Sequence, residues 1–205
     1  MDLKKEFQNI AHTAATAVEQ TMSDYARGNA HDEDDITGLL VGSLRANIES
    51  QKSAISWDAK ILRHRRGTAA EEAKTGADLL IHIKLSSPDL TYSKGLLVQA
   101  KKNEPKHSMP IGEHGRLLTQ CDQMLSITPA AFVFNYSKSG MRCASAMKVK
   151  GASSLDLHAT CDLTPYRFFL EFFRCTTGDQ NIVSNRFDEL KIPHGVEIVG
   201  KASQE

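Results

Sequence analysis

The fold of this 205-residue chain is decided by two β-rich runs, Asp78-Leu79-Leu80-Ile81-His82-Ile83-Lys84-Leu85 and Gly95-Leu96-Leu97-Val98-Gln99-Ala100-Lys101. Both runs are dominated by aliphatic residues, and segments of this kind, bounded by turn residues, favour strands. The turn-forming segment Ser86-Ser87-Pro88-Asp89 and further polar residues separate them. The two runs therefore predict an antiparallel hairpin centred near residues 89–90.

Helices and further strands are predicted on both sides of the hairpin. Apolar residues recur at spacings of three and four, which indicates one helix running to about Tyr25 and a second over roughly 33–49. The other predicted elements are a short strand at 55–62, a helix around 117–125, strands at 131–136 and 141–149, an aromatic helix at 166–173 and an apolar run at 196–199. This order predicts one α/β domain over 1–205, with a core at about 33–149, an N-terminal helix at 1–27 and an extension at 150–205.

The composition excludes several classes of protein. The 25 basic and 25 acidic side chains give a formal charge of 0, which argues against a polybasic nucleic-acid coat. No apolar stretch reaches the roughly 18 residues of a membrane helix, and the first residues lack the apolar segment of a signal peptide. We therefore expect a cytoplasmic protein that does not contact a membrane. The four cysteines show no C-x-x-C spacing and are expected to be free and mostly buried.

Familiar catalytic motifs are also absent from the sequence. It contains no G-x-x-x-x-G-K-[ST] loop, no G-x-S-x-G elbow and no H-E-x-x-H helix. Their absence argues against ATP hydrolysis, serine hydrolase chemistry and zinc protease chemistry.

Three polar side chains stand out in the hairpin: Asp78, Gln99 and Lys101. Side chains two apart on a strand share a face, so Gln99 and Lys101 point the same way, and antiparallel pairing brings Asp78 opposite them. As separate features, Asp78 could cap a turn and the other two could form the solvent face of an edge strand. Together they suit metal-assisted phosphodiester hydrolysis, with Asp78, the Gln99 oxygen and the Ala100 carbonyl as oxygen ligands and Lys101 near the attacking water.

The pattern Asp78…Gln99-Ala100-Lys101 resembles the PD-(D/E)XK nuclease superfamily, and within it the Mrr-like branch with a D…QxK motif. The resemblance covers about 33–136 and implies a restriction-endonuclease-like α-β-β-β-α-β core, with a mixed central sheet flanked by helices. Ala77 stands where the family name has proline. The resemblance also implies an acid at the start of the preceding helix, for which Glu33 is the best candidate.

Several acidic residues compete to complete this site. Asp34 and Asp35 follow Glu33 directly, and Glu71 and Glu72 precede Asp78 by seven and six residues. An acidic helix start is also explained by the helix dipole alone. The sequence leaves these alternatives open.

Candidate phosphate contacts follow from the local charge, because residues 51–110 carry 11 basic and 6 acidic side chains. The basic candidates are Arg63, His64, Arg65, Arg66, Lys102, Lys106 and His107. A glutamine on the helix after the hairpin, Gln120, has a counterpart facing the site in similar nucleases. The basic residues could equally form an ordinary solvated turn, and Gln120 could serve packing.

The resemblance implies a DNA endonuclease that depends on Mg²⁺ or Mn²⁺, acting in restriction or anti-phage defence. Cutting both strands requires two sites, so we expect a homodimer or higher oligomer, with an activating ligand or partner subunit as a further expectation. The alternatives are a nuclease fold without chemistry that serves as a regulatory subunit, and an RNase or nickase. The aromatic helix at 166–173 is assigned to the core in preference to a dimer interface.

Overall fold

A computed structural model describes residues 1–64 and 75–202 of the chain. The helices are α1 (Leu3–Ala26), α2 (Glu33–Ser50), α3 (Ile111–Ile127), α4 (Ala146–Gly151), α5 (Leu157–Thr160), α6 (Pro165–Phe173) and α7 (Arg186–Glu189). The strands are β1 (Ile55–Ile61), β2 (Leu79–Ser86), β3 (Thr91–Lys102), β4 (Ala131–Ser137), β5 (Gly140–Ser145) and β6 (His194–Ala202). In this part of the chain no helix is long and apolar enough to cross a membrane.

The six described strands form one mixed sheet in the order β1-β6-β2-β3-β4-β5. The predicted hairpin is confirmed, because β2 and β3 pair antiparallel with Leu79 opposite Val98. Strand β4 runs parallel to β3, and β5 pairs antiparallel with β4. The last strand, β6, lies between β1 and β2, antiparallel to the first and parallel to the second.

Helices cover both faces of the sheet, so the prediction of a mixed sheet flanked by helices is confirmed. On one face the core is formed by α1, α2 and α6, against side chains such as Ile81, Val98 and Phe134. On the other face α3, α4 and α7 pack against Leu80, Leu97 and their neighbours. Alternate residues of β2 and β3 therefore enter two separate cores, as the two-residue period of a strand requires.

The aromatic helix α6 belongs to the core, as predicted. Phe168, Phe169, Phe172 and Phe173 are all buried, and Phe168 also meets the rings of Phe132 and Phe134 edge-on. Cys121, Cys143 and Cys161 are buried free thiols, also as predicted, whereas Cys175 is exposed.

The prediction of a strand over 141–149 is wrong in its second half. Strand β5 ends at Ser145 and helix α4 begins at Ala146. The Ser145 hydroxyl accepts a hydrogen bond from the Lys148 N–H and caps that helix. A serine at this position satisfies one of the free N–H groups of the first turn and so favours a helix start over a continued strand.

Candidate metal and phosphodiester site

The site lies at the end of the sheet where strands β2 and β6 begin and strand β3 ends. Asp78 precedes β2 and extends the ladder, because its N–H donates to the Val98 carbonyl over 2.8 Å. Its own carbonyl accepts from the His194 N–H at the start of β6 over 3.0 Å. The main chain of Asp78 is thus fixed from both sides, and its side chain is left to face Gln99 and Ala100.

The Asp78 carboxylate is held by the neighbouring strand. Its Oδ2 accepts hydrogen bonds from the Gln99 side-chain amide (2.5 Å) and from the Ala100 N–H (2.9 Å). Burial raises the pKa of Asp78, and the nearby Glu33 carboxylate raises it further, while the Ala100 N–H, Lys101 and His194 act in the opposite direction. A cation beside this carboxylate would offset the cost of its burial.

The Gln99 side chain carries the observation that points to a ligand. Its Nε2 donates to both Asp78 Oδ2 and the Ala100 carbonyl (2.9 Å), so a donor stands where two acceptors converge. Its Oε1 is buried and finds no hydrogen-bond partner among the described residues, and the same holds for Oε1 of Gln120. Buried polar atoms without partners are rare and costly.

The residues present fit a hard divalent cation. Rotating the Gln99 amide would exchange its nitrogen for Oε1, so that Asp78, Gln99 and Ala100 would present oxygens, the ligand type that Mg²⁺ and Mn²⁺ prefer. Within residues 1–64 and 75–202 no three His, Cys, Asp or Glu side chains form a metal-binding group. The candidate set differs from such a group because two of its members are an amide and a main-chain carbonyl.

Lys101 and Glu33 complete the cleft. The Lys101 side chain is 11% exposed, and its Nζ lies 4.0 Å from Glu33 Oε2. The other carboxylate oxygen of Glu33 accepts the Lys102 N–H over 3.1 Å.

Of the three consecutive acids at the start of α2, the structure thus brings Glu33 to the end of β3. Asp34 instead contacts His194, and Asp35 accepts the His31 N–H.

The cleft has a volume of about 340 Å³. It is lined by Asp32, Glu33, Asp34, Asp78, Gln99, Lys101 and Gln120. Four carboxylates against one ammonium group make its lining acidic, which favours binding of a cation before that of a phosphate.

Gly76 sets the distance between this cleft and α3. It has a φ of +67°, and a Cβ on it would lie 2.4 Å from the Gln120 carbonyl oxygen. Only glycine permits that contact without displacing the helix. The close approach brings Gln120 to the lining of the cleft.

The other predicted nucleic-acid contacts are only partly near the cleft. Lys102 and Lys106 are exposed near the end of β3, and the Lys102 ammonium donates to the His31 carbonyl. Arg63 is exposed but lines a different depression with Arg45 and Asp58.

His64 does not act as a free basic group, because its two ring nitrogens contact Asp188 and the Ile192 carbonyl. Arg65, Arg66, Glu71 and Glu72 lie outside the described residues.

Sequence reasoning missed two members of this region, Asp32 and His194. His194 Nε2 lies 2.7 Å from Asp34 Oδ1. Nothing in the local pattern connects His194 with Asp78, since the link depends on β6 pairing beside β2.

Comparisons with protein-family models, with curated proteins and with solved structures give no match.

Proposed function

We propose that the chain is a metal-dependent nuclease that hydrolyses phosphodiester bonds in DNA. The observation that carries the proposal is the convergence of Asp78, Gln99 and Lys101 over one acidic cleft, with Glu33 reaching it from α2. The order α2-β1-β2-β3-α3-β4 agrees with the restriction-endonuclease-like core that the D…QxK resemblance implies. Strand β6 is an addition to that core.

The residues divide into a cation-binding set and a phosphate-facing set. Asp78, the Gln99 amide oxygen and the Ala100 carbonyl would hold Mg²⁺ or Mn²⁺, with Glu33 as a further oxygen ligand. When bound, such an ion lowers the pKa of a coordinated water and neutralises charge on the phosphate.

Lys101 supplies the fixed positive charge of the site. Its ammonium group orients the attacking water or contacts a phosphate oxygen as negative charge develops. Glu33, 4.0 Å away, keeps that ammonium group at the cleft and offers a carboxylate to accept a proton from water.

The surroundings of the cleft suit a nucleic-acid backbone. Lys102 and Lys106 are exposed near it and would neutralise flanking phosphates, which makes binding salt-dependent. Gln120 faces the cleft from α3. Double-strand cleavage requires two such clefts, so the proposal includes a homodimer or higher oligomer, serving as a restriction or anti-phage defence effector in the cytoplasm with an activating ligand or partner subunit.

The test is cleavage of supercoiled plasmid, linear duplex and single-stranded RNA with Mg²⁺, Mn²⁺ or EDTA. Wild type and the control Lys60→Ala, an exposed lysine outside this cleft, should degrade DNA only with the metal. Lys101→Ala should lose cleavage by about 100-fold or more. Cleavage by Lys101→Ala at the wild-type rate would refute the proposed site. Degradation of RNA alone would show that the substrate is RNA and not DNA.

Absence of cleavage together with absence of metal binding would favour the alternative, a nuclease fold that serves as a regulatory subunit.

A further inference from the structure

A second polar cluster lies on the same face of the sheet as Lys101, toward the opposite end of β3. It consists of Ser93 on β3, His82 on β2 and Glu197 on β6. His82 is directly opposite Glu197 in the parallel ladder and opposite Gly95 in the antiparallel one. The imidazole reaches Ser93, two residues before Gly95 on β3.

The three side chains form a hydrogen-bonded series. Ser93 Oγ lies 2.9 Å from His82 Nε2, and His82 Nδ1 lies 3.2 Å from Glu197 Oε1. A carboxylate accepts only, so Nδ1 carries the proton and Nε2 is left as the acceptor for the serine hydroxyl. This is the order hydroxyl, imidazole, carboxylate by which an activated serine nucleophile is recognised, whatever the sequence positions.

The surroundings favour an ionised Glu197 carboxylate and a neutral His82 imidazole. Glu197 Oε1 also contacts the Lys84 ammonium (2.7 Å) and the Ser184 hydroxyl (2.9 Å), and its pKa is lowered although burial opposes this. His82 is fully buried, and burial lowers its pKa, with Lys84 acting in the same direction and Glu197 against it. A neutral imidazole beside an ionised carboxylate follows at neutral pH.

Ser93, in contrast, is accessible. It is only half-buried and lines a cleft of about 360 Å³ over the end of the hairpin. Val199 and Tyr92 contribute to the walls, and the exposed lysines Lys84 and Lys201 stand beside them. Ser93 therefore belongs to the lining of a cleft, whereas His82 lies behind it.

We propose that Ser93, His82 and Glu197 form an acyl-transfer site for carboxylic esters. Ser93 Oγ attacks the ester carbonyl carbon while its proton passes to His82 Nε2. The carbon–oxygen bond to the alcohol then breaks, and His82 returns the proton to the leaving alkoxide. Water then takes the place of the departed alcohol beside His82 Nε2, gives a proton to it and attacks the acyl carbon. The bond from that carbon to Ser93 Oγ breaks and the proton returns to Ser93 Oγ, so that ester and water give acid and alcohol. Glu197 is a positioning residue that fixes the tautomer of His82.

This site is independent of the proposed nuclease. Ser93 and Gln99 are six residues apart on one strand, which places them about 20 Å from each other. The sequence argument against serine hydrolase chemistry concerned the G-x-S-x-G elbow, in which the serine stands on a strand-to-helix turn. Ser93 stands within a strand, so that motif does not describe it.

The experiment is labelling of the folded full chain with a fluorophosphonate probe, which forms a bond from Ser93 Oγ to phosphorus as fluoride leaves. Intact mass and peptide mapping identify the labelled residue, and hydrolysis of p-nitrophenyl acetate gives a second readout. We expect one adduct per chain, on Ser93, and none in Ser93→Ala. His82→Gln should slow labelling by about 100-fold or more.

Two controls separate activation from mere exposure. Ser126→Ala removes an exposed hydroxyl on α3 that donates to the Gln123 carbonyl, and Lys60→Ala removes an exposed lysine of β1, so both should be labelled like wild type. In Glu197→Gln, ¹⁵N shifts of His82 should show loss of the Nδ1–H preference. Absence of label on Ser93, or an equal rate in His82→Gln, would overturn the proposal and make the cluster a structural network.

Discussion

Replacing Asp78 by asparagine should stabilise the metal-free protein while removing its proposed metal ligand. The carboxylate is largely buried and its pKa is raised, so its charged form is unfavourable in the folded state. Asparagine removes that charge, and its Oδ1 can still accept from the Gln99 amide and the Ala100 N–H, as the carboxylate does. We therefore expect a gain of about 1 kcal/mol, the usual size of a single-site effect on stability.

The effect of Asp78→Asn on the free energy of unfolding should depend on pH. The ordinary pKa of an aspartate is 3.8, and in the folded state that of Asp78 is higher. The folded protein therefore keeps this proton to a higher pH than the unfolded chain does. Its free energy of unfolding falls as the pH rises from about 4 through the folded pKa. The advantage of Asp78→Asn should thus be full at pH 7.5 and small near pH 4.

Urea denaturation in EDTA at these two pH values measures the effect. The control is Asp89→Asn in the exposed turn of the hairpin, which should stay within about 0.5 kcal/mol of wild type. Mn²⁺ at 100 times its dissociation constant should stabilise wild type by about 2.7 kcal/mol and reverse the order. If metal-free Asp78→Asn is less stable than wild type at pH 7.5, the carboxylate is a structural cap and its burial is not a cost that a cation offsets.

Three further predictions follow from other residues. Lys101→Met should retain Mn²⁺ binding by calorimetry yet cleave DNA about 100-fold more slowly, and cleavage within tenfold of wild type would contradict its role. Gly76→Ala should lose about 2–4 kcal/mol in urea denaturation, because of its positive φ and the Gln120 backbone, whereas Gly115→Ala, with open space around it, should lose nothing. Burial lowers the pKa of Lys94 to about 8, so its charge weakens the fold at neutral pH and stability should rise between about pH 8 and 10.5. Lys94→Met should therefore be about 2 kcal/mol more stable at pH 7, with a difference that shrinks toward pH 10; a constant difference would contradict this.

The parts of the fold that depend on local pattern could be predicted from the sequence. The hairpin of β2 and β3 is fixed by two apolar runs and a turn, and its pairing brings Asp78 to Gln99. The position of β6 could not be predicted, because it pairs with strands more than 100 residues earlier in the chain. The helix α4 was missed because the Ser145 cap overrides a strand-like run.

The residues of the two proposed sites also depend on contacts between segments that are far apart in the sequence. Consecutive residues of a helix point about 100° apart, so the choice among Glu33, Asp34 and Asp35 needed the rotation of α2 against β3. The Ser93, His82 and Glu197 cluster joins three strands, one of them β6, so it depends on pairing between segments far apart in the chain. No sequence spacing indicates that arrangement.

Calorimetric titration of Mn²⁺ shows whether Asp78, Gln99 and Ala100 hold a divalent cation. We predict one saturable site per chain in wild type and in Asp89→Asn, weakened at least about tenfold in Asp78→Asn. Equal binding by Asp78→Asn, or no saturable binding by the folded wild type, would show that these residues hold no divalent cation.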